Sequence, residues 1–480
     1  MRIAPRRYSD SSDLVEIERR LEQHPDAVDV LFERACCLED LGATEASVQA
    51  YVAVLQHDSR HLATLTNLGS MLLARSDAEK ARLFFTQALT HHPLDLITHV
   101  NLGQALFAQG EIVSATNQYK AALAVDPQFF AAHHSLALLY EAGGATEQAE
   151  FHWERAFEHG AAWSLPYAGS DPPALRVLLI VSGRGGDVVV HRFLDNHTMH
   201  TSMALADGYR SVVKLPRHDV VFNTIGEADS CRLSLERATI LLRASTAPVI
   251  NDPARVLATG RADTAAAFAG IAGAIAPRTE LLPRATIEAA ALEQAGWTFP
   301  LLVRAPGFQE GRHFELVANA AELGAALARI PGDELFVIAF ADTRGADGAF
   351  RKYRVLTIDG RFYPVHLAVS RDWKVHYFSA DMTENAEHRA EEARFLGDVA
   401  VALGPRAFAA LTEAAQRLDL DYGGFDFGLD AAGNVVIFEA NATMAVYPPP
   451  AGDEWAYRRP AFEAVIGAVR AMMVERAART

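Results

Sequence analysis

Apolar, aromatic and small side chains recur every 34 residues across the first third of the chain. Between these fixed positions the apolar residues follow helical spacing, and prolines or polar residues separate the helical stretches. A period of this length, with several series in one phase, predicts pairs of α-helices stacked side by side. The recurring positions are Tyr51, Phe85, Tyr119 and Trp153 (aromatic), Leu68, Leu102 and Leu136 (leucine, with Gly69 and Gly103 beside the first two), Ala88, Ala122 and Ala156 (small), and Pro25, Pro93 and Pro127.

This pattern resembles the tetratricopeptide repeat over residues 26–161, in four units, and Asp13–His24 resembles a half-unit that caps the stack. Stacked repeats present a concave surface, so the resemblance implies a binding role for a peptide or protein partner. Asn67 and Asn101, one period apart, occupy a position where such repeats often hydrogen-bond the backbone of an extended peptide. The lysines that would hold a peptide's terminal carboxylate are absent. The alternative is that both asparagines are solvated surface residues.

The helical period then stops, and residues 162–174 are rich in proline, glycine and serine, which predicts a linker. Arg176–Val181 is a continuous apolar run, typical of a buried parallel strand, and the glycine-rich SGRGGD follows it. The spacing of these glycines matches neither a dinucleotide fingerprint nor a P-loop, so we interpret the segment as a tight turn. With another buried strand at Asp219–Asn223, residues 175–255 are predicted to form a small α/β domain.

The segment Gly424–Asn441 is predicted to be a β-hairpin around the polar turn Asp430–Asn434. Pairing the strands about this turn places Asp426 opposite Glu439. Because side chains alternate along a strand, Asn441 shares a face with Glu439. Carboxylate and amide oxygens are ligands that suit Mg²⁺, which usually also takes substrate phosphates. The alternative is an ordinary amphipathic hairpin with polar residues at its rim.

The order of strands, glycine-bearing turns and hairpins that ends in this segment resembles the ATP-grasp fold, in which two α+β lobes hold ATP between them. The key match is Asp426, followed 13 positions later by Glu439 and then by Asn441, a spacing that several ATP-grasp ligases use for magnesium ligands. The sequence thus predicts an α solenoid of helix-pair repeats, followed by an α/β lead domain and α+β ATP-grasp lobes. The predicted repeats, linker, lead domain, lobes and C-terminal helical segment span residues 1–161, 162–174, 175–255, 256–450 and 451–480.

The ATP-grasp resemblance implies phosphate-binding roles for Arg261 and Arg304, at positions where the family usually has lysines. Arginine keeps the positive charge and adds a planar fork of donors. Gly307 and Gly311 would let a loop close over the phosphates. The alternative for each arginine is a solvated surface charge.

The resemblance further implies that the adenine edge is read by a hinge, with backbone contacts at Ile338, Ala339 and Ala341. Asp342, just beyond the hinge, is then placed for the ribose hydroxyls. The alternative, without the resemblance, is that this strand is only part of the hydrophobic core.

Arg354 resembles the family's arginine that faces the phosphates and the acyl phosphate, which implies a catalytic role. Lys352 lies two residues away, on the same face of the predicted strand. The alternative is that these residues form a basic strand edge that discourages pairing with another chain.

Composition and charge narrow the possible number of domains, the partners and the location of the protein. The chain has 480 residues, half of them hydrophobic, which is enough for two to four domains. Its formal charge of −16 disfavours a nucleic-acid-binding protein. Residues 1–160 contain 12 Lys and Arg against 22 Asp and Glu, so a basic partner segment fits the repeats better than an acidic one. Three cysteines form no disulfide framework, and no apolar run reaches membrane-spanning length, so we expect a cytoplasmic protein that does not bind membranes.

The ATP-grasp resemblance implies an enzyme that uses ATP and Mg²⁺ to join a carboxylate to an amine through an acyl phosphate. The repeats would then recruit a peptide or protein partner. Two alternatives remain open from the sequence: a non-catalytic repeat scaffold with a degenerate nucleotide-binding lobe, and a kinase on the same ATP-grasp scaffold.

Overall fold

The computed structural model of the protein describes residue 3 and residues 11–41, 43–75, 77–157, 162–208, 215–307, 312–375, 380–450 and 452–479. The chain divides into two compact units, Met1–Pro166 with Gly208–Arg210, and Tyr167–Asp207 with Ser211–Thr480.

The first unit is helical. Its described residues form α1 (Ser11–Gln23), α2 (Val28–Asp40), α3 (Thr44–His57), α4 (Leu62–Ala74), α5 (Ala78–His91), α6 (Leu96–Ala108), α7 (Ile112–Val125), α8 (Phe130–Ala142) and α9 (Thr146–Phe157), followed by a short strand, β1 (Ala162–Ser164). Helices α2 to α9 pack as four consecutive pairs, and α1 packs on α2. The predicted repeat organisation is therefore confirmed.

Contact between two of the repeating series explains why they share one period. Gly69 of α4 faces the ring of Phe85 in α5, and a Cβ added at Gly69 would lie 2.5 Å from that ring. One period later, a Cβ at Gly103 would lie 2.3 Å from the ring of Tyr119. Since real Cβ atoms do not approach this closely, a glycine at this position lets each aromatic side chain pack against the preceding helix.

The second unit combines α-helices with three groups of paired strands. Its elements are β2 (Leu175–Val181), β3 (Met199–Leu205), β4 (Val220–Asn223), α10 (Arg232–Leu241), β5 (Val249–Ile250), α11 (Pro253–Leu257), α12 (Arg261–Ala267), β6 (Ala274–Ile275), β7 (Thr279–Pro283), α13 (Ala289–Gln294), β8 (Leu301–Arg304), β9 (Phe314–Val317), α14 (Leu323–Arg329), β10 (Glu334–Ala339), β11 (Phe350–Ile358), β12 (Arg361–Ser370), α15 (Ala386–Gly397), α16 (Val399–Leu418), β13 (Tyr422–Leu429), β14 (Val435–Asn441) and α17 (Arg459–Ala477). Short 3-10 helices occur at Ala206–Gly208, Leu242–Ala244, Arg284–Thr286, Ala320–Glu322 and Asp453–Arg458.

The first group of strands is parallel. Strand β2 pairs with β3 on one side and with β4 on the other, and β4 pairs with β5. Nearly all of β2 is buried, as expected for a parallel strand that is covered on both faces. Because parallel strands end at one edge, the loops after β2 and β4 meet there. The backbone N–H groups of Gly226 and Glu227 both donate to the carbonyl of Gly186, at 2.9 and 3.2 Å.

The other two sheets are mainly antiparallel. One has the order β7-β10-β8-β9, and the other has the order β12-β11-β13-β14-β6. In the second of these, β11 lies between β12 and β13, and β13 pairs with β14. Side chains of β11, β13 and β14 are thereby brought together, although β11 precedes β13 by more than sixty residues.

The strands predicted from apolar runs at Arg176–Val181 and Asp219–Asn223 are confirmed as β2 and β4. Strand β3 and the helices α15 and α16 were not assigned from the sequence. Strand β3 contains His200, Thr201 and Ser202, so it lacks the continuous apolar pattern of β2, yet both hydroxyl-bearing residues are buried against neighbouring elements.

Candidate functional site

The β13–β14 hairpin forms with the register that its turn predicts. Asp426 pairs directly with Glu439, and a register irregularity follows between Asp426 and Phe427. The turn is held by the carboxylate of Asp430, which accepts hydrogen bonds from the backbone N–H groups of Ala432 and Asn434, at 2.9 and 2.8 Å. Local turn chemistry therefore sets which side chains of the two strands are neighbours.

The carboxylate of Asp426 is buried and surrounded by positive charge. Arg354 donates to it through Nε and Nη2, at 2.6 and 2.8 Å, and Lys352 Nζ lies 2.6 Å from Oδ2. Only 1% of the Asp426 side chain is exposed. Burial alone would raise the pKa of Asp426, but the charges of Arg354 and Lys352 outweigh it and hold the pKa well below its usual range. Asp426 is therefore ionised at neutral pH.

The second carboxylate, Glu439, has its own set of partners. Arg261 Nη2 donates to Oε1 of Glu439 at 3.0 Å, and the side-chain amide of Asn441 donates to the same oxygen at 2.9 Å. Burial opposes ionisation of Glu439, but the charges of Arg261 and Arg304 prevail and lower its pKa. Arg304 is itself desolvated, and burial together with the nearby charge of Arg261 lowers its pKa to about 10.

A cavity of about 540 Å³ connects these groups, within the size range of small-molecule sites. Its wall combines positive, negative and apolar side chains from all three sheets of the second unit. The residues predicted from sequence that line it are Arg261, Arg304, Gly307, Ile338, Ala339, Ala341, Lys352, Arg354, Asp426, Glu439 and Asn441.

Two predicted residues are not placed in this wall. Asp342 is absent from the cavity lining, and its carboxylate forms an ion pair with Arg344 on the surface. Gly311 lies outside the described residues. Gly307 does line the cavity and has a positive φ of 75°, so a glycine suits this turn.

Sequence reasoning missed the contribution of the parallel sheet. The loops after β2 and β4 supply Arg184, Asp187, Glu227 and Asp229 to the cavity wall. The signal was the glycine-rich SGRGGD, which we interpreted only as a tight turn. Ligands in open α/β sheets bind outside the carboxyl ends of the strands, and both loops lie at those ends.

The acids of these loops sit in desolvated surroundings. Asp187 accepts hydrogen bonds from the Ser182 backbone and the Thr224 hydroxyl, at 3.0 and 3.1 Å, and burial raises its pKa to about 7. Burial, followed by the nearby charge of Glu439, raises the pKa of Glu227. A cationic group in the cavity would favour the ionised form of both acids.

Three further residues also line the cavity: His366, Trp373 and Lys374. His366 is buried, and desolvation followed by the charge of Arg354 lowers its pKa well below the usual value. It is therefore neutral at physiological pH.

In the first unit, Asn67 and Asn101 are both fully buried, so the alternative that they are solvated surface residues is wrong. The amide of Asn101 donates to Ser70 Oγ at 3.1 Å. The amide of Asn67 donates to Tyr51 Oη at 3.0 Å and also contacts the backbone of Ile3.

Two further features concern metal binding and membrane insertion. Among the residues that the structure describes, no group of three or more His, Cys, Asp and Glu side chains is arranged to hold a metal ion. No single described helix has both the length and the apolar character to cross a membrane. The bent helix pair Ala386–Gly397 and Val399–Leu418 has that length and apolar composition only when its two helices are taken together.

Comparison with known proteins identifies the repeats. Residues 103–144 match a family model described as a TPR repeat. The N-terminal region therefore contains tetratricopeptide-type repeats, a class of protein-interaction module. No curated protein matches the chain.

Solved structures with similarity to the chain match about a third of it. A crystal structure of MamA is 20% identical and covers 30% of this chain and 85% of its own, with a TM-score of 0.28. MamA from Desulfovibrio magneticus RS-1 is 18% identical and covers 30% of this chain and 82% of its own, with a TM-score of 0.28. PilW, a type IV pilus biogenesis factor, is 23% identical and covers 30% of this chain and 66% of its own, with a TM-score of 0.28.

Proposed function

We propose that the second unit is an ATP-grasp enzyme, an ATP- and Mg²⁺-dependent ligase that joins a carboxylate to an amine. One observation carries the proposal. Arg261, Arg304, Lys352 and Arg354, from three elements far apart in sequence, line the same cavity as the carboxylates of Asp426 and Glu439. Cations that converge on a partly desolvated cavity suit a polyanion such as a triphosphate.

The nucleotide would span the cavity from its charged part to its apolar part. Arg261 and Arg304 would bind the phosphates, with the turn at Gly307 alongside them. The segment Ile338–Ala341 contributes apolar wall next to the end of β10, which suits an adenine ring. Since the carboxylate of Asp342 is paired with Arg344, the ribose contact that the sequence suggested receives no support from the geometry.

The oxygen donors on the hairpin fit Mg²⁺ chemically. Asp426, Glu439 and Asn441 line the cavity, and the lowered pKa values of both acids keep them ionised. These residues would hold the ion, which when bound neutralises charge on the β- and γ-phosphates. Each carboxylate already has a protein cation as its partner, so ligand binding would involve an exchange of counter-ions.

The chain's own residues would act mainly by position and charge. The substrate carboxylate would attack the γ-phosphorus of ATP, so that an acyl phosphate forms and ADP leaves. Arg354 and Lys352 would stabilise the negative charge on the transferred group. The amine nitrogen would then attack the acyl carbon and lose a proton. The bond between the acyl carbon and the phosphate oxygen would break, so that inorganic phosphate leaves and the amide remains.

The loops after β2 and β4 offer a place for the amine. Glu227 and Asp187 line the cavity as half-buried acids, and an ammonium group would favour their ionised forms. One of these carboxylates would accept the proton that the amine releases. The repeats of the first unit would recruit a peptide or protein partner.

An isotope experiment tests the proposal. The enzyme is incubated with Mg-ATP, an amine pool and carboxylic acids labelled with ¹⁸O in the carboxylate. A ligase transfers one ¹⁸O atom from the acid to inorganic phosphate, and phosphate release requires both the acid and the amine. A stable phosphorylated product without ¹⁸O in phosphate would identify a kinase. Failure to bind Mg-ATP by calorimetry would identify a non-catalytic scaffold.

A further inference from the structure

The rings of Phe314 and Trp373 meet beside the cavity, although they belong to different sheets. Phe314 lies in β9, and Trp373 follows β12 of the sheet that contains the β13–β14 hairpin. Their ring centroids are 5.3 Å apart and the ring planes are inclined by 71°, the edge-to-face arrangement that aromatic pairs favour. Both side chains line the cavity. The contact therefore joins, across the cavity, the two sheets that would hold the nucleotide.

Two cations flank the aromatic pair. The guanidinium carbon of Arg304 lies 5.6 Å from the ring centroid of Phe314, its direct partner across β8 and β9. Lys374 Nζ lies 6.0 Å from the centroid of Phe314 and 5.7 Å from that of Trp373. A cation at such a distance is attracted by the face of an aromatic ring. The pair is thus held beside Arg304, the residue that we propose binds the phosphates.

Trp373 also borders a second cavity, of about 620 Å³. Phe340 and Phe350 line this cavity as well as the first one, whereas Arg344 and Arg371 line the second alone. The second cavity is wider open to solvent than the first, and the Arg344 side chain in its wall is 59% exposed. Trp373, together with Phe340 and Phe350, therefore forms a partition between the proposed active site and a solvent-open space.

The proposed reaction needs such a partition, because an acyl phosphate can react with water in place of the amine. The water oxygen then bonds to the acyl carbon, the bond from that carbon to the phosphate oxygen breaks, and a proton is released to solvent. The free acid is restored, and one ATP has been converted to ADP and phosphate without an amide. Enzymes suppress such side reactions by keeping water out of the closed site. Large aromatic rings at the boundary with solvent suit that task, since they fill space that water would otherwise occupy.

We propose that Trp373 is a specificity-determining residue, which selects the amine over water as the acceptor of the acyl group. Its ring, held against Phe314, separates the active-site cavity from the neighbouring cavity while the acyl phosphate exists. This role rests on the proposed ligase function. Trp373 has no part in phosphoryl transfer itself, so loss of its ring should leave ATP consumption intact and uncouple it from amide formation.

The test measures phosphate release from Mg-ATP with carboxylic acids present and amines absent. The acids are simple mono- and dicarboxylic acids and N-acetylated amino acids, which carry no free amine, and an amine pool is added in a parallel reaction. In the wild-type protein, phosphate release should require both acid and amine. In Trp373→Ala, we expect release with acid alone, at least about tenfold faster than in the wild type without amine. Calorimetric affinity for ATP should stay within about threefold, because the charged groups that would bind the phosphates remain.

Three further variants separate the partition from general damage to the site. Trp373→Phe keeps an aromatic ring and should restore most of the requirement for amine. Phe314→Leu removes the partner ring from the other sheet and should also permit release without amine, so it decides the outcome if Trp373→Ala does not fold. Arg371→Ala is the control and should behave as wild type, because Arg371 lines only the second cavity and donates to the Asp347 carbonyl at 3.1 Å. Circular dichroism checks that each variant folds.

The possible results distinguish this role from the ligase function. If Trp373→Ala and Phe314→Leu release phosphate only when amine is present, the partition role is wrong and the ligase proposal stands. If these variants release phosphate without acid as well, water attacks ATP directly, and the role in protecting the acyl phosphate is wrong. If the wild-type protein releases no phosphate with any acid and amine, the ligase proposal fails, and the role of Trp373 fails with it.

Discussion

The carboxylate of Asp426 accepts hydrogen bonds from both Nε and Nη2 of Arg354, at 2.6 and 2.8 Å, although the two residues are 72 positions apart. They are direct neighbours across β11 and β13. A buried carboxylate costs a great deal of free energy without such a partner. The pair therefore ties the strand that carries the proposed catalytic arginine to the hairpin that carries the proposed metal ligands.

Breaking this pair should destabilise the second unit. Asp426→Asn keeps the shape of the side chain but leaves the charges of Arg354 and Lys352 without their counter-charge, at a cost of about 3–5 kcal/mol. In the double variant Asp426→Asn, Arg354→Gln the loss should be smaller than the sum of the single losses, by about 1–3 kcal/mol. Urea unfolding of the four proteins measures this coupling, and strict additivity would contradict it.

Glu439→Gln serves as the matched variant that separates folding from catalysis. Its side chain is 21% exposed, and its partners Arg261 and Asn441 lie at 3.0 and 2.9 Å. We expect a stability loss of about 1.5–3 kcal/mol, as for hydrogen bonds to a charged group, together with loss of Mg²⁺-dependent ATP turnover. Wild-type turnover in this variant would remove Glu439 from the proposed metal site.

Arg304 provides a test of phosphate binding. Arg304→Ala should weaken ATP binding by about 1.5–3 kcal/mol, the range for a hydrogen bond to a charged group. Arg304→Lys should retain much of the affinity, because it keeps the positive charge. Calorimetry measures both, with Arg329→Ala as the control, since Arg329 pairs with Glu315 and its side chain is 57% exposed. Unchanged affinity in Arg304→Ala would show that the nucleotide lies elsewhere.

Asp342→Asn should change the ATP affinity less than twofold, in contrast to the ribose-binding role that the sequence suggested. The reason is geometric, because Asp342 does not line the cavity and pairs with Arg344 on the surface. Calorimetric titration with ATP is the measurement. A tenfold or larger loss would mean that the segment after β10 rearranges when nucleotide binds.

The stability of the last repeat should depend on pH through His152. His152 Nδ1 lies 2.8 Å from His133 Nδ1, and His133 Nε2 lies 3.0 Å from the Pro127 carbonyl. Burial, followed by the charges of His133 and Lys120, lowers the pKa of His152 to about 4 in the folded protein, against 6.5 for the free side chain. Between pH 6.5 and pH 4, His152 is therefore mostly protonated in the unfolded chain and mostly neutral in the folded chain. Stability is fully present above pH 6.5 and falls as the pH drops toward 4.

Because His152 is only half-buried, we expect a modest loss, about 1 kcal/mol between pH 6.5 and pH 5. The preceding repeat supplies the control substitution. There, His99 hydrogen-bonds Gln118, which occupies the position equivalent to His152, so a glutamine fits this place in the repeat. His152→Gln should remove this part of the pH dependence. The difference in melting temperature between wild type and variant is measured at pH 7 and pH 5, and a difference that does not change with pH would contradict the prediction.

The sequence by itself determined those features that depend on local periodicity and turn chemistry. The repeat was predictable because Gly69 packs against the ring of Phe85, where a larger side chain would clash. The same contact recurs between Gly103 and Tyr119, so these residue types reappear at a fixed spacing. The register of Asp426 with Glu439 was predictable for a similar reason, since the turn at Asp430 is closed by hydrogen bonds within five residues.

Only the tertiary structure decided which charges neutralise one another and which loops share the cavity. Nothing in the local pattern pairs Arg354 with Asp426, brings Glu227 beside Gly186, or places Ile3 on Asn67. Where residues far apart in sequence meet, their partners depend on how the strands and helices pack, and a buried charge takes whichever counter-charge that packing brings within reach. Periodicity and turn residues can be recognised along a single sequence. The partners of residues far apart in that sequence are decided only when the sheets form.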